Sequence, residues 1–207
     1  MTDDALRETY LSKEELYQGK IIRVERWQVA LPNGKTAARE IVVHNGAAAI
    51  VPIDREGNVT LVRQHRIAAG RFTWEIPAGK LDSPAEDPFA AARRELEEET
   101  GLNAEHWQIF TCIDPTPGFC TEKISIYLAT GLSQHPAHTD PDEFLRLTKM
   151  PLSEAAALCM AGELRDSKTV VGLLMAQQLL QRDAQLPLHA SASIQRGSAA
   201  VSSQGKE

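Results

Sequence analysis

The sequence predicts a mixed α/β sandwich. Strand-like segments dominate the front of the chain, helical periodicity punctuates the back, and no repeat or alternating βαβ pattern links them. Residues 17–30 alternate and are rich in Ile and Val, as a strand requires. Pro32-Asn33-Gly34 supplies turn chemistry, and 36–44 is the returning strand of an N-terminal β-hairpin. Two apolar strands, 46–53 and 59–64, flank the turn Asp54-Arg55-Glu56-Gly57-Asn58. A short strand over 72–76 ends at Pro77. A helix is expected over 88–100, then strands over 107–113, 123–129 and 144–150. Helices over 153–161 and 167–182 follow, the second with apolar residues at 170, 171, 174, 175 and 179. From His189 the composition is Ser, Ala, Gly and Gln, which reads as a disordered tail. The expected division is N-terminal strands and hairpin over 1–45, a core domain over 46–182, and the polar tail over 183–207.

With 207 residues there is room for one sizeable core and little more. The 28 acidic against 22 basic residues leave a net charge of −6, which argues against an unaided electrostatic grip on nucleic acid. At 5% aromatic the chain also lacks a base-stacking platform. The first ten residues are acidic and polar, unlike a signal or transit peptide. No apolar run reaches membrane-span length, so no membrane partner is expected. Cys112, Cys120 and Cys159 are odd in number and form no C-x-x-C pair. They read as reduced thiols, and the expected compartment is the cytoplasm.

The helix over 88–100 is well delimited. Asp87 is placed to N-cap it, Pro88 sits at its first position, and Gly101 supplies the left-handed residue beyond its end. Phe89, Ala92 and Leu96 fall on one stripe and should face the core. Glu95, Glu98 and Glu99 share another face at i, i+3 and i+4. Like charges at that spacing cost about 0.2–0.5 kcal/mol per pair, and they sit at the wrong end for the helix dipole. An acidic solvated face is the plain reading of such a helix alone. Three converging carboxylates are also what a hard divalent cation such as Mg²⁺ requires.

The surrounding residues decide between these. After Glu86 come seven residues and then Arg94-Glu95-Leu96-Glu97-Glu98-Glu99-Thr100-Gly101-Leu102. This resembles the Nudix box, G-x5-E-x7-R-E-U-x-E-E-x-G-U, with U a bulky aliphatic. Gly79 precedes Glu86 by one residue more than the pattern, so the loop before the helix is longer by one while the helical spacing survives. Val62-Arg63-Gln64-His65-Arg66 and Glu75-Ile76-Pro77-Ala78-Gly79 resemble the V-R-Q-x-R and E-x-P-A-G segments of the ADP-ribose pyrophosphatase branch. Pro117-Gly118-Phe119-Cys120-Thr121-Glu122 resembles its S-P-G-F-x-x-E loop, with Thr116 where serine is usual. Pro117 lies fifteen residues past Leu102, where that branch carries its marker proline.

The resemblance implies a Nudix-type α/β/α sandwich. It implies a Mg²⁺-dependent hydrolase (Mn²⁺ being the alternative ion) that cleaves ADP-ribose to AMP and ribose 5-phosphate. Glu95, Glu98 and Glu99 would bind metal with the carbonyl of Ala78, and Arg94 would orient Glu98. Glu122 is the candidate for the group that takes the water proton. Arg66 is read either as a phosphate or ribose contact or as a strand-end partner of Glu75. Trp27 is an adenine platform or a core or dimer-interface residue, and Arg39 a site residue or an exposed strand charge. His135-x-x-His138 lacks a completing cluster for zinc. A homodimer built through the N-terminal strands is expected, since the branch assembles that way. The alternatives are another nucleoside-diphosphate sugar such as GDP-mannose, or a non-catalytic Nudix ligand sensor.

Overall fold

Side chains of one strand, β4 (Ala47–Pro52), are buried on both faces, and the layers are arranged around it. The computed structural model describes residues 3–135 and 144–185. Chain order runs β1 (Thr9–Gln18), β2 (Arg23–Ala30), β3 (Thr36–Val43), β4, β5 (Asn58–Arg66), β6 (Arg71–Glu75) and β7 (Ala78–Lys80). Then come α1 (Pro88–Thr100), β8 (Leu102–Ile113), β9 (Ile124–Gln134), β10 (Arg146–Pro151), α2 (Leu152–Met160) and α3 (Ser167–Gln185). A mixed sheet has the order β7-β4-β9-β8, with β4 and β9 parallel. An antiparallel sheet has the order β10-β5-β6. Ala47, Ala49 and Val51 point into one core with Leu61, Ile126 and Leu173. Ala48 and Ile50 point into the other with Ala92, Leu96 and Tyr127, beneath α1. The α/β sandwich is the expected architecture. Among the described residues no helix is long and apolar enough to cross a membrane.

The N-terminal region departs from the expected hairpin. It is a three-stranded antiparallel sheet in the order β1-β2-β3. The strand expected over 17–30 is broken where the Gly19 N–H turns back to the Ile22 carbonyl at 2.9 Å, and β1 precedes the break. Every residue of β1 is exposed, so it carries no burial-driven alternation by which a sequence reading could find it. The three-residue β7 was likewise not expected. It is held to β4 by the pairs Ala48–Gly79 and Ala49–Ala78. Strands β8 and β9 run longer than expected, to 12 and 11 residues, because they pair with each other along nearly their whole length. The expected tail over 183–207 lies beyond the described residues except for the end of α3, and His138 also lies outside them.

Helix α1 forms as its sequence requires. The Asp87 carboxylate accepts the Phe89 N–H at 3.1 Å, Pro88 occupies the first turn, and Gly101 ends the helix with φ 67°. Such a cap stabilises a helix by about 1 kcal/mol. Ala91, Ala92 and Leu96 are buried against the mixed sheet, which fixes the roll of the helix and so the direction of its carboxylates.

Candidate functional site

Two adjoining cavities open beside the C-terminal half of α1. The smaller, about 310 Å³, is lined by Lys80, Arg94, Glu95 and Glu98 among others. The larger, about 550 Å³, is lined by Arg66, Glu75, Ala78, Glu99, Glu122 and Lys168 among others. His44, Gly79 and Lys80 line both, which puts β7 between them.

Strand β7 meets α1 at very short range. A Cβ at residue 79 would lie 1.9 Å from the Glu95 carboxyl carbon, so only glycine fits there. One residue earlier, the Ala78 N–H donates to Glu99 Oε2 at 3.0 Å. Arg94 collects the other acids. Its Nη1 donates to Glu95 Oε1 at 2.6 Å and to Glu98 Oε2 at 3.1 Å. Its Nη2 reaches Glu86 Oε1 and the Lys80 carbonyl, at 3.4 and 3.3 Å. Partial burial works against the guanidinium charge, but the Glu95 and Glu98 carboxylates outweigh it and raise its pKa. The longer loop after Gly79 is accommodated locally, with Glu86 Oε2 accepting the Asp82 N–H at 2.5 Å.

These contacts bear on a metal. Among the described residues no three His, Cys, Asp or Glu side chains already stand in a metal-binding cluster. Glu95 and Glu98 turn to Arg94, and Glu99 to the Ala78 amide. The donor set nevertheless fits a hard divalent cation. It offers three carboxylates and a backbone carbonyl, all oxygen and net negative, beside a glycine that keeps the space over Glu95 clear. Such an ion would draw Glu95 and Glu98 away from a single guanidinium.

The larger cavity holds a charge network centred on the buried Glu75 carboxylate. Arg66 donates through Nε and Nη2 to the two Glu75 oxygens at 2.8 and 2.7 Å. Lys168 Nζ donates to Glu75 Oε2 at 2.6 Å and pairs with Asp166 at 3.0 Å. The Thr73 hydroxyl donates to Glu75 Oε1 at 2.6 Å. Asp166 caps the start of α3 by accepting the Thr169 N–H and hydroxyl, and Thr169 Oγ1 accepts the Ile76 N–H at 2.9 Å. Burial pushes the Glu75 pKa up, but Arg66, Lys168 and Thr73 overcome it and hold it at about 2.

Sequence reasoning and geometry meet unevenly. Arg94, Glu95, Glu98, Glu99, Ala78, Arg66, Glu75 and Glu122 all line one or both cavities. Trp27 and Arg39 line neither within one chain. Trp27 Nε1 donates to the buried Glu25 carboxylate at 2.6 Å, and its ring lies edge-on to Tyr10. Arg39 pairs with Glu8. Both are committed to the exposed N-terminal sheet. Glu122 Oε1 lies 3.6 Å from His44 Nδ1. His44 and Lys168 were missed as site residues. One reads as a strand end and the other as a helix start, and only the fold brings them to the cavity.

Comparison with known proteins follows the same lines. A family model described as "NUDIX domain" matches residues 43–170. The chain is 41% identical over 79% of its length to the ADP-ribose pyrophosphatase of Mycobacterium tuberculosis, covering 80% of that protein. It is 38% identical over 84% of its length to the ADP-ribose pyrophosphatase of Bacillus subtilis, covering 94% of that protein. A crystal structure of an ADP compounds hydrolase shares the fold with a TM-score of 0.77 at 24% identity, over 87% of this chain and 98% of the other.

The Glu75 network carries a signed pH dependence. Folding lowers the Glu75 pKa from an ordinary 4.5 to about 2. Its contribution, on the order of 3 kcal/mol, is complete above the unfolded value and is lost as pH falls through the folded one. Glu75→Gln is therefore expected to be less stable than the wild type at pH 7. The gap should close as pH drops from 4.5 towards 2. Urea unfolding of both proteins across that range checks it; a constant gap would contradict the assignment.

Proposed function

This chain belongs to the NUDIX family, and we propose that it is a Mg²⁺-dependent pyrophosphohydrolase cleaving ADP-ribose to AMP and ribose 5-phosphate. The observation that carries the reading is the meeting of Glu95 and Glu99 with the Ala78–Gly79 strand, Glu98 being tied beside them through Arg94, at the edge of a cavity that also holds Arg66, Glu75 and Glu122. Two relatives at 41% and 38% identity bear the name ADP-ribose pyrophosphatase, and this supports the substrate. The cytoplasm is the proposed compartment, in keeping with three free cysteines.

In the proposed reaction water attacks a phosphorus of the diphosphate, and the anhydride P–O bond breaks. Glu95, Glu98 and Glu99, with the Ala78 carbonyl, would hold Mg²⁺, which supplies charge neutralisation on the diphosphate oxygens and lowers the pKa of the attacking water. Arg94 keeps Glu95 and Glu98 on one side of the helix. Glu75 fixes the planar head of Arg66 at the cavity wall, where its outer edge can meet a phosphate or ribose oxygen. Glu122 takes the proton released by water.

The substrate is tested by a panel of ADP-ribose, GDP-mannose, other nucleotide sugars, dinucleoside polyphosphates and NADH with Mg²⁺, products separated by chromatography. ADP-ribose should be turned over fastest and yield AMP. Preference for another member reassigns the base or sugar, and no turnover of any favours a ligand sensor. Glu98→Gln is expected to reduce turnover by about 10²-fold or more with the fold intact. Full activity of that variant at limiting Mg²⁺ would remove Glu98 from the ligand set. Glu122→Gln should lower kcat by about 10²–10⁴-fold with KM nearly unchanged, the mark of a group acting in the transition state.

We further propose a homodimer through the N-terminal sheet. Its outer strand β1 exposes Tyr10, Leu11, Leu16 and Tyr17, and Ile21 and Ile22 follow in the turn. Such an apolar edge on an isolated three-stranded sheet calls for a partner. Trp27 and Arg39, which do not reach the cavities of their own chain, would then lie near those of the other. Light scattering at micromolar concentration should give twice the chain mass; a fully active monomer overturns the dimer.

A further inference from the structure

We propose that His44 and Thr121 are positioning residues that seat the Glu122 carboxylate for hydrolysis. The proposal rests on Glu122 as the group that accepts the water proton. The loop carrying Glu122 opens with two prolines and a glycine, a composition that suggests a mobile lid. Its second half is instead bonded to the end of β3 and the start of β4. The Val42 N–H donates to the Phe119 carbonyl at 2.7 Å, and the Thr121 N–H donates back to the Val42 carbonyl at 2.9 Å. On the far side of Glu122, the Ala47 N–H donates to the Lys123 carbonyl at 2.9 Å. Backbone bonds therefore hold the loop on both sides of the glutamate.

Two side chains complete the seat. Thr121 Oγ1 accepts the His44 N–H at 3.0 Å, and the hydroxyl donates to the His44 carbonyl at 3.4 Å. His44 Nδ1 accepts the Gly46 N–H at 3.0 Å, which locks the imidazole onto its own corner. That same nitrogen lies 3.6 Å from Glu122 Oε1; as an acceptor it has no proton to donate there, so the imidazole limits the carboxylate by contact and not by a hydrogen bond. The corner needs its glycine. Gly46 has φ 103°, and a Cβ there would meet the Lys123 carbonyl at 3.1 Å. The His44 side chain is 10% exposed and that of Glu122 27%, so the imidazole walls one side of a carboxylate that also lines the larger cavity. A side chain confined in this way has less freedom to lose when the reacting geometry forms.

Steady-state kinetics of the full chain with ADP-ribose and Mg²⁺ test the seat. His44→Ala and Thr121→Val should each lower kcat about tenfold with KM within about twofold. His44→Asn puts an oxygen where Nδ1 stands and should recover to within about threefold of wild type, as should Thr121→Ser. In the Glu122→Gln background His44→Ala should cost nothing more, because its effect passes through the carboxylate. Wild-type kcat in His44→Ala, or losses that multiply in the double variant, overturn the seat and leave the role of Glu122 standing. Wild-type kcat in Glu122→Gln alone overturns that role and the seat with it. Should the Ala and Val variants not fold, His44→Asn and His44→Gln decide. A glutamine amide reaches the Nε2 position instead and should lose activity, and equal rates in the two overturn the proposal.

Discussion

The site depends on one steric contact, the bare backbone of Gly79 against the Glu95 carboxylate. Any side chain at 79 would overlap that carboxylate. The glycine therefore sets how closely β7 and α1 approach. At that distance the Ala78 amide reaches Glu99, and the Arg94 guanidinium can bridge Glu95, Glu98 and the Lys80 carbonyl at once. A helix with three acids at i, i+3 and i+4 repels itself. Here each acid has a donor, the Ala78 amide for Glu99 and the Arg94 guanidinium of the same helix for Glu95 and Glu98, so the repulsion is offset locally and the acidic face can be built into a protein wall.

That approach is prepared by the run of alanines in β4. Ala47, Ala48 and Ala49 are all buried, on alternate faces, so α1 can lie close on one side and the second core on the other. The apolar weight is carried by larger neighbours such as Ile50, Leu61, Leu96 and Ile126. Burying a side chain of that size stabilises a fold by about 1.5–3 kcal/mol, enough to offset the electrostatic strain of several like-charged pairs. The cores thus hold a local arrangement that α1 alone would not favour.

What the sequence made legible follows from where the information sits. Helix α1 was readable from end to end because its cap, its first-turn proline, its terminal glycine and its apolar stripe are all local. The acids were readable through their spacing. Strand β1 was invisible because it is exposed throughout, and burial is what writes alternation into a sequence. His44 and Lys168 were invisible as site residues for a different reason. Each meets another cavity residue across a long sequence separation, Lys168 bonding to Glu75 and His44 standing beside Glu122, and neither residue type announces such a neighbour. Trp27 and Arg39 were legible as residue types able to contact a nucleotide, but pairing to Glu25 and Glu8 keeps them on the first sheet of their own chain.

The charges of the site also explain why a cation would be needed at all. The chain carries a net charge of −6, and three of the cations that line the cavities are already engaged: Arg94 by Glu95 and Glu98, Arg66 by Glu75, Lys168 by Glu75 and Asp166; Lys20, Arg71 and Lys80 line them as well. None of the three paired ones can turn fully to an anion without leaving an acid uncompensated in a partly buried place, a cost of order 1–3 kcal/mol or more. Their pairing makes them rigid walls, good for shape and hydrogen-bond direction and poor as a counter-charge. A divalent ion held at the Glu95, Glu98 and Glu99 face would reverse the balance, because it would satisfy those acids and present positive charge to an anionic ligand. The same acids that make this wall negative are thus the groups a divalent cation would use to bring an anion to it.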